Sequence, residues 1–203
     1  MTGKILLATS NKGKLRELCS LLDGLPFECV SPDDIDLALD VPETGATYSE
    51  NAALKAMAYH AASGLTVLAD DTGLEVDALD GAPGLYSARF STIPEATDAD
   101  RRARLLRVLA DKPRPWLARF RCVVAVALPG REVEFFHGLV EGEIIPEERG
   151  DHGFGYDRLF YITAAGMTLA ELRLSDKNTI SHRAVAARNA IPFLIRELVK
   201  ISN

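Results

Sequence analysis

The chain has 203 residues, of which 47% are hydrophobic and 26% charged, and this length and composition are typical of one compact globular domain. We therefore expect a single domain over residues 1–203. The formal net charge of −6 disfavours a nucleic acid polymer as partner, because proteins that bind such polymers usually carry a basic surface. A small anion held by a few local cations is compatible with this charge.

The three cysteines, Cys19, Cys29 and Cys122, are far apart, and the sequence contains no CxxC motif. This pattern disfavours a disulfide framework or a zinc site and favours reduced thiols. The apolar run over residues 5–8 is shorter than a signal peptide requires, and later runs fall far below the roughly 20 residues that cross a bilayer. We expect a soluble, cytoplasmic protein without a membrane partner.

The N-terminal part of the chain alternates between strand and helix patterns, which favours an α/β sheet. Residues 4–8 predict a buried strand, and residues 9–13 form a polar loop. Four leucines then recur at helical spacing: Leu15, Leu18, Leu21 and Leu22. A second strand is expected over residues 27–30, and a loop over residues 35–46.

Thr47 and Glu50 form a capping box, with Thr47 as the N-cap. The alanine-rich helix that they begin should extend to about Ser63, where Gly64 can end it. A short buried strand over residues 66–69 should then end in an acidic pair with good turn chemistry.

The rest of the chain predicts further strands and two helices. Strands are expected over residues 74–76, 118–128, 132–142 and 159–162. The turn at Pro129-Gly130 predicts an antiparallel hairpin. A helix with many arginines on its exposed face should cover residues 98–110, and a last helix should begin near Ser181 and be kinked or restarted at Pro192. These elements predict an α/β fold with a long central mixed sheet flanked by helices, and two lobes with an active-site cleft.

Between the first strand and the first helix lies a loop that combines cations with neutral donors. It contains Thr9, Ser10, Asn11, Lys12, Gly13 and Lys14. Amide groups at the start of a helix attract anions, and the two lysines add full charges. The loop therefore predicts either an anion site or a polar surface turn.

Three carboxylates are candidate ligands of a divalent cation: Glu43, Asp70 and Asp71. Mg²⁺ needs only one or two protein carboxylates, so Glu43 and Asp71 would suffice. Neighbouring side chains on a strand point to opposite faces, so only one of the aspartates should face a given cleft. A solvated turn is the alternative. Asn51 and Lys55 lie four residues apart, which places them on one helix face, as partners of a site or as an exposed polar stripe.

Glycines and aromatic residues combine in the segment Gly153-Phe154-Gly155-Tyr156-Asp157. Its glycines allow the backbone to approach a flat ligand, Phe154 could stack on a base, and Asp157 could accept from its N–H groups. The alternative is a turn with an aromatic side chain in the core.

Basic residues surround the predicted start of the last helix: Lys177, His182 and Arg183, beside the N-cap candidate Ser181. A basic residue in the first turn opposes the helix dipole, and a broken local rule often marks a functional site. A partly exposed histidine and a surface arginine are the alternative. The remaining histidines show no metal-ligand spacing and are predicted to be structural: His60, His137 and His152.

Together, these segments resemble the Ham1-type inosine triphosphate pyrophosphatases, also called XTP/dITP pyrophosphatases. The matching stretches are LLATSNKGKLREL, ETGATYSENAALKA, LADDTGLEVDALDGAPGLYSARF, GFGYDRLF and ELRLSDKNTISHRA. They follow the family's order from Leu6 to Ala184. Each motif is moderately specific, and the ordered set is highly specific.

The resemblance implies a homodimer that hydrolyses ITP, dITP and XTP between the α- and β-phosphates with Mg²⁺, which keeps deaminated purines out of DNA and RNA. It implies that the loop over residues 9–14, chiefly Asn11 and Lys14, binds the phosphates together with Lys55. Glu43 and Asp71 would hold Mg²⁺, Asp71 would activate the attacking water, and Thr72 would touch the substrate. The base would be bound by Phe154, Gly155, Tyr156, Asp157, Lys177, His182 and Arg183.

Two features depart from the family's pattern. Arg158 stands where proline commonly follows GFGYD, and Pro192 interrupts the last helix. Both lie beside the base-binding segments, so fine specificity is affected more than activity. Two other functions are compatible with these motifs: a non-catalytic nucleotide sensor, and a related enzyme acting on pyrimidine or methylated nucleotides. The metal-ligand candidates disfavour the first, and Ser181-His182-Arg183 disfavours the second.

Overall fold

The computed structural model describes the backbone of residues 3–200 and the side chains of residues 3–198. Within this range the strands are β1 (Gly3–Leu7), β2 (Phe27–Val30), β3 (Thr66–Val76), β4 (Pro83–Gly84), β5 (Trp116–Ala127), β6 (Glu134–Ile144), β7 (Phe160–Ile162) and β8 (Met167–Thr168). The helices are α1 (Lys12–Leu22), α2 (Tyr48–Ser63), α3 (Asp98–Leu109), α4 (Leu174–Ile180) and α5 (His182–Lys200).

The strands form one mixed sheet in the order β2-β1-β3-β5-β6-β7-β8, with β4 paired to β3. β1 pairs in parallel with β2 and with β3, and Ile5 lies opposite both Cys29 and Thr66. The pairs β3–β4, β6–β7 and β7–β8 are antiparallel. The predicted α/β fold with a long central mixed sheet and flanking helices is confirmed.

The described residues divide into two compact units. Unit 1 contains residues 3–71, 122–138 and 183–200, and unit 2 contains residues 72–121 and 139–182. The division falls within β3, β5 and β6, and again after the first residue of α5. The single domain expected from chain length stays a prediction.

Unit 1 has apolar clusters on both faces of its strands, because successive strand residues point to opposite sides. Ile5 and Leu7 belong to a cluster with Leu18 of α1 and Leu194 of α5. Leu6 belongs to another, with two fully buried alanines of α2: Ala52 and Ala56. The small alanine side chains allow α2 to pack closely on the sheet.

Unit 2 has a core of its own. Leu105 of α3 and Phe120 of β5 pack in one cluster with Tyr156 and Phe160. The α3 N-terminus carries a full capping box, in which Thr97 and Asp100 exchange side-chain and backbone hydrogen bonds. This arrangement satisfies amide groups that the first helical turn leaves without partners.

Several local predictions are confirmed. Thr47 is the N-cap of α2, since its side chain accepts from the Glu50 amide, and Gly64 ends the helix in a left-handed conformation with φ of 68°. The second half of the predicted capping box differs, because the Glu50 carboxylate accepts from the Ala46 amide. The prediction that this strand ends at the acidic pair is wrong, because β3 continues through Asp70, Asp71 and Thr72 to Val76. Helix α5 also continues through Pro192 rather than restarting there.

No helix within residues 3–200 combines the length and apolar character needed to cross a membrane.

Candidate active site

The loop after β1 is organised by Asn11. Its side-chain oxygen accepts from the amides of Gly13 at 2.9 Å and Lys14 at 3.1 Å, so Asn11 is the N-cap of α1. Thr9 accepts from the Asn11 amide at 3.2 Å. Ser10, Asn11 and Lys12 are exposed, so polar groups of this loop remain accessible to a ligand.

The Asp70 carboxylate is the centre of a buried charge network in unit 1. Its Oδ2 atom lies 3.1 Å from Lys14 Nζ, and it accepts from the Arg183 guanidinium at 3.2 Å (Nε) and 3.1 Å (the terminal nitrogen). Arg183 also donates to Glu17, and both side chains are buried. Asp70 thus connects a cation of the 9–14 loop to an arginine of α5.

Burial raises the pKa of Asp70, but the charges of Lys14, Arg183 and Lys55 lower it more, so its pKa lies well below the usual range. Asp70 is therefore ionised at neutral pH. The Asp70 backbone carbonyl is a further acceptor, 2.6 Å from Lys55 Nζ.

Lys55 links three carboxyl-bearing residues of unit 1. Its Nζ donates to Glu43 Oε1 at 3.0 Å and lies 3.8 Å from Asp71 Oδ1. Burial lowers the pKa of Lys55, but Asp70, Asp71 and Glu43 together raise it above its usual value. We call Lys14, Glu43, Lys55, Asp70 and Asp71 the carboxylate–lysine cluster.

Asp71 has the opposite environment to Asp70. Burial raises its pKa, and burial together with the nearby charge of Glu43 exceeds the lowering effects of Lys55, Lys14 and Asn51. A carboxyl whose pKa is raised towards neutrality is a better proton acceptor than an ordinary one. This electrostatic environment suits the predicted role of Asp71 as a general base.

Asn51 fixes the position of Asp71. Its side-chain nitrogen donates to Asp71 Oδ2 at 3.2 Å, and its oxygen accepts from the Gly45 amide at 2.8 Å. A Cβ atom at Gly45 would lie 2.8 Å from that oxygen and 2.6 Å from Glu50 Cβ, so the position requires glycine. The i, i+4 spacing predicted for Asn51 and Lys55 does bring both side chains to Asp71.

The donor set of this cluster fits a hard divalent cation. Glu43 and Asp71 already share one cation, the Lys55 ammonium, and both offer carboxylate oxygens, which Mg²⁺ prefers. Within residues 3–200 no group of three or more His, Cys, Asp or Glu side chains is arranged as a metal site. A metal held here would therefore complete its coordination with water and substrate oxygens.

The predicted base-binding segment lies in unit 2. Asp157 Oδ2 accepts from the Phe154 amide at 2.8 Å and from Lys177 Nζ at 2.5 Å. The same ammonium lies 5.1 Å from the centre of the half-buried Phe154 ring. Gly153 has φ of 73°, and a Cβ atom there would lie 2.1 Å from Asp157 Oδ2, so only glycine fits. The structure thus brings Phe154, Asp157 and Lys177 together.

The two basic residues at the start of α5 are both buried and have different neighbours. His182 stacks on Phe120 within unit 2, with ring centres 4.6 Å apart at 14°. Arg183 joins Asp70 and Glu17 within unit 1. The exposed alternative considered for this pair is therefore wrong. Thr72 is half-buried in β3.

Comparison with known proteins supports the resemblance seen in the motifs. Residues 5–193 match the model of the Ham1 family. The chain belongs to the Ham1 family. A protein of Desulforamulus reducens named dITP/XTP pyrophosphatase is 45% identical over 194 residues, which cover 95% of this chain and 96% of the relative. A dITP/XTP pyrophosphatase of Geobacter sulfurreducens is 47% identical, covering 90% of this chain and 92% of the relative.

Solved structures of Ham1 proteins have the same fold. A HAM1 protein from Coxiella burnetii superposes with a TM-score of 0.85 at 38% identity, covering 96% of this chain and 99% of the other. The Staphylococcus aureus Ham1 protein gives a TM-score of 0.83 at 37% identity, with the same coverage.

Sequence reasoning missed several residues of this Ham1 protein that surround the predicted site. Glu17 was not recognised as the buried partner of Arg183, although a glutamate among the apolar positions of α1 was a usable signal. Asp98 and Arg102 of α3 contact Gly155, and Arg102 is buried, in a helix predicted to carry many arginines on its exposed face. No short motif marks such contacts, because their partners are about 50 residues away in the chain.

Proposed function

We propose that this protein hydrolyses dITP, XTP and ITP to the nucleoside monophosphate and pyrophosphate, in agreement with the names of its Ham1 relatives. One water is consumed as the anhydride bond between the α- and β-phosphates breaks. The observation that carries the proposal is the carboxylate–lysine cluster, where Lys14 and Lys55 lie beside the carboxylates of Glu43, Asp70 and Asp71. Phosphoryl transfer depends mainly on such positioning and charge neutralisation.

In this proposal the residues of unit 1 bind the triphosphate. The 9–14 loop and Lys14 are its first contacts, and Lys55 is a further cation. Asp71, held by Asn51, accepts a proton from the attacking water. Glu43 and Asp71 would hold Mg²⁺, which would neutralise phosphate charge and lower the pKa of water.

In unit 2 we propose that Phe154 stacks on the base while Lys177 and His182 bind its oxygens, with Gly155, Tyr156 and Asp157 shaping the segment. Thr72 is proposed as a further substrate contact. The Lys177 ammonium donates to Asp157, and we propose that it also donates to O6 of hypoxanthine or xanthine. The 6-amino group of adenine is itself a donor and cannot accept this hydrogen bond. That mismatch costs about 1–3 kcal/mol, or about 5- to 150-fold in kcat/KM.

A panel of ITP, dITP, XTP, ATP, GTP and CTP tests the proposal, with pyrophosphate and orthophosphate measured separately and Mg²⁺ present or removed by chelation. We expect pyrophosphate from the first three substrates, weak turnover of the others, and loss of activity without the metal. Equal turnover of ITP and ATP would refute the assigned base recognition. Release of orthophosphate would refute the reaction.

We further propose that the protein is a cytoplasmic homodimer, as the family resemblance implies. Light scattering coupled to size exclusion tests the assembly, since one chain has a mass of 22.1 kDa. A mass of one chain at micromolar concentration would refute the dimer.

A further inference from the structure

We propose that Asp98 and Arg102 of α3 are positioning residues for the predicted base-binding segment, residues 153–157. They bind the backbone amide and the backbone carbonyl of Gly155. The inference rests on the proposed function, since it assigns these residues to the binding of the nucleotide's base. Neither belongs to a motif that pointed to the site.

The two side chains contact both polar groups of the Gly155 backbone. Asp98 Oδ2 accepts from the Gly155 amide at 2.7 Å, and an Arg102 terminal nitrogen donates to the Gly155 carbonyl at 2.9 Å. Hydrogen bonds with one charged partner are stronger than neutral ones. Since the two residues are four apart on α3, they lie on one face and act together on Gly155. We call this pair of contacts the Gly155 clamp.

The clamp is supported on its outer side by Glu148. Its carboxylate binds Arg102 through two hydrogen bonds, at 2.7 and 3.1 Å. Arg158 lies 3.6 Å from the same carboxylate and 3.3 Å from Asp151. The Arg102 guanidinium is thereby oriented towards Gly155.

The segment needs such a support because its backbone is unusual. Gly153 and Gly155 have φ of 73° and 61°, and no heavy atom would lie within 4 Å of a Cβ at Gly155. Glycine loses more conformational freedom on folding than other residues, so two glycines around Phe154 leave the ring poorly fixed. The Phe154 amide donates to the Asp157 carboxylate, and the Gly155 clamp holds the residue that follows Phe154.

The electrostatics agree with this role. Partial burial raises the pKa of Asp98, but hydrogen bonds from Arg101 and from the Gly155 amide lower it more, so its pKa is below the usual value. Its charge therefore persists at neutral pH. The hydrogen bond from Arg102 likewise lowers the pKa of Glu148.

The test compares Arg102→Gln and Asp98→Ala with Arg107→Gln, a matched change at an exposed arginine of the same helix. Hydrogen exchange of the amides in residues 153–157 is measured in the free protein, and kcat and KM are measured with ITP. We expect exchange to rise about tenfold in both clamp variants, KM for ITP to rise about tenfold, and kcat to stay within about twofold. Arg107→Gln should match the wild type.

Conservative variants keep the test decisive if Arg102→Gln folds poorly. Asp98→Asn retains an oxygen that can accept from the Gly155 amide, so its KM for ITP should lie close to that of the wild type and well below that of Asp98→Ala. The Lys side chain of Arg102→Lys cannot bind Gly155 and both Glu148 oxygens together. Its exchange rate and its KM for ITP should therefore lie between those of the wild type and Arg102→Gln.

Exchange in Arg102→Gln and Asp98→Ala that equals the control would overturn the clamp. Faster exchange with an unchanged KM would overturn its role in nucleotide binding. If the wild type does not hydrolyse ITP, the proposed function fails, whereas the exchange measurement still decides whether Asp98 and Arg102 hold Gly155.

Discussion

Asp70 and Asp71 are neighbours in sequence, but their carboxyl groups have pKa values shifted in opposite directions. Asp70 is surrounded by Lys14, Lys55 and Arg183, which lower its pKa, whereas burial and Glu43 raise that of Asp71. Opposite shifts in paired carboxyls often separate an electrostatic role from an acid–base role. These shifts agree with the proposal that Asp71 accepts a proton, and they lead us to propose that Asp70 holds cations.

Replacing Asp71 with Asn tests this assignment at the scale of one residue. The amide keeps the size of the side chain but cannot accept the proton of water, so kcat for ITP should fall by about 10²- to 10⁴-fold. Binding of ITP, measured by calorimetry, should change little.

Asp80→Asn is the matched control, because Asp80 is exposed and Asn also tolerates its left-handed conformation. Turnover of Asp71→Asn at the wild-type rate would exclude Asp71 as the base. A non-catalytic sensor would show no turnover in any of the three proteins.

Single residues also mark the limit of sequence reasoning. Resemblance and spacing identified Asp71, Asn51 and Lys55, which do meet in unit 1. The sequence could not show that Arg183 would be buried between Glu17 and Asp70, because that depends on residues more than 100 positions apart. The resemblance assigns Arg183 to the base, a role that stays a prediction. Its contacts favour a part in holding Asp70 and, through it, Lys14.

At the scale of elements, Arg183 connects three of them, since it lies on α5 and binds Asp70 of β3 and Glu17 of α1. Removing one partner of a buried ion pair leaves uncompensated charge, which costs about 3–5 kcal/mol. We expect Arg183→Met to lower the free energy of unfolding by about that amount in urea titrations followed by Trp116 fluorescence.

Arg188→Met is the control for this change, because Arg188 is exposed on the same helix. It should alter the free energy of unfolding by less than about 0.5 kcal/mol. Equal effects of the two substitutions would show that the Arg183 network does not stabilise the packing of α5.

Helices and strands whose apolar residues recur at a regular spacing were predicted well, and elements without such a spacing were not. The leucine spacing of α1 and the capping residues of α2 located both helices. The Asp-Asp-Thr-Gly run has turn chemistry, yet β3 continues through it because buried cations and neighbouring strands offset the low strand preference of these residues. Helix α4 has only seven residues, too few to show a helical period.

At the scale of the whole molecule, several carboxyl groups connect stability to pH. The pKa values of Asp70, Asp98 and Glu148 are lower in the folded chain than the usual value of about 4. Each therefore stabilises the fold above about pH 4, and this contribution is lost as the pH falls through the lowered value. The pKa of Asp71 is raised, so its titration has the opposite effect on the pH dependence of stability.

We expect the free energy of unfolding to fall as the pH is lowered from 5 to 3, as measured by urea titration at each pH. Glu148→Gln should reduce the slope of this dependence slightly, because Glu148 is largely exposed and its ion pair is screened. Glu147→Gln is the matched control, because it removes one carboxyl group at an exposed neighbouring position. A stability that rises towards pH 3 would contradict the lowered pKa values.

The fold class was predictable from the whole chain because alternating strand and helix periods favour a mixed sheet, and five ordered motifs indicated the family. The sequence predicts two lobes, but it does not predict where the two compact units divide. Their division falls inside β3, β5 and β6, where no linker composition marks it.

The continuous path of β3 has a consequence for how the acidic pair can move. Because Asp70 and Asp71 are bound into a sheet on an 11-residue strand, their backbone cannot swing as a surface loop does. Adaptation to nucleotides of different size must come from side chains that reach the pair from elsewhere, such as Glu43. The backbone of the two aspartates should therefore stay in place while side chains such as Glu43 move. The amides of Asp70 and Asp71 should be among the last to exchange with solvent.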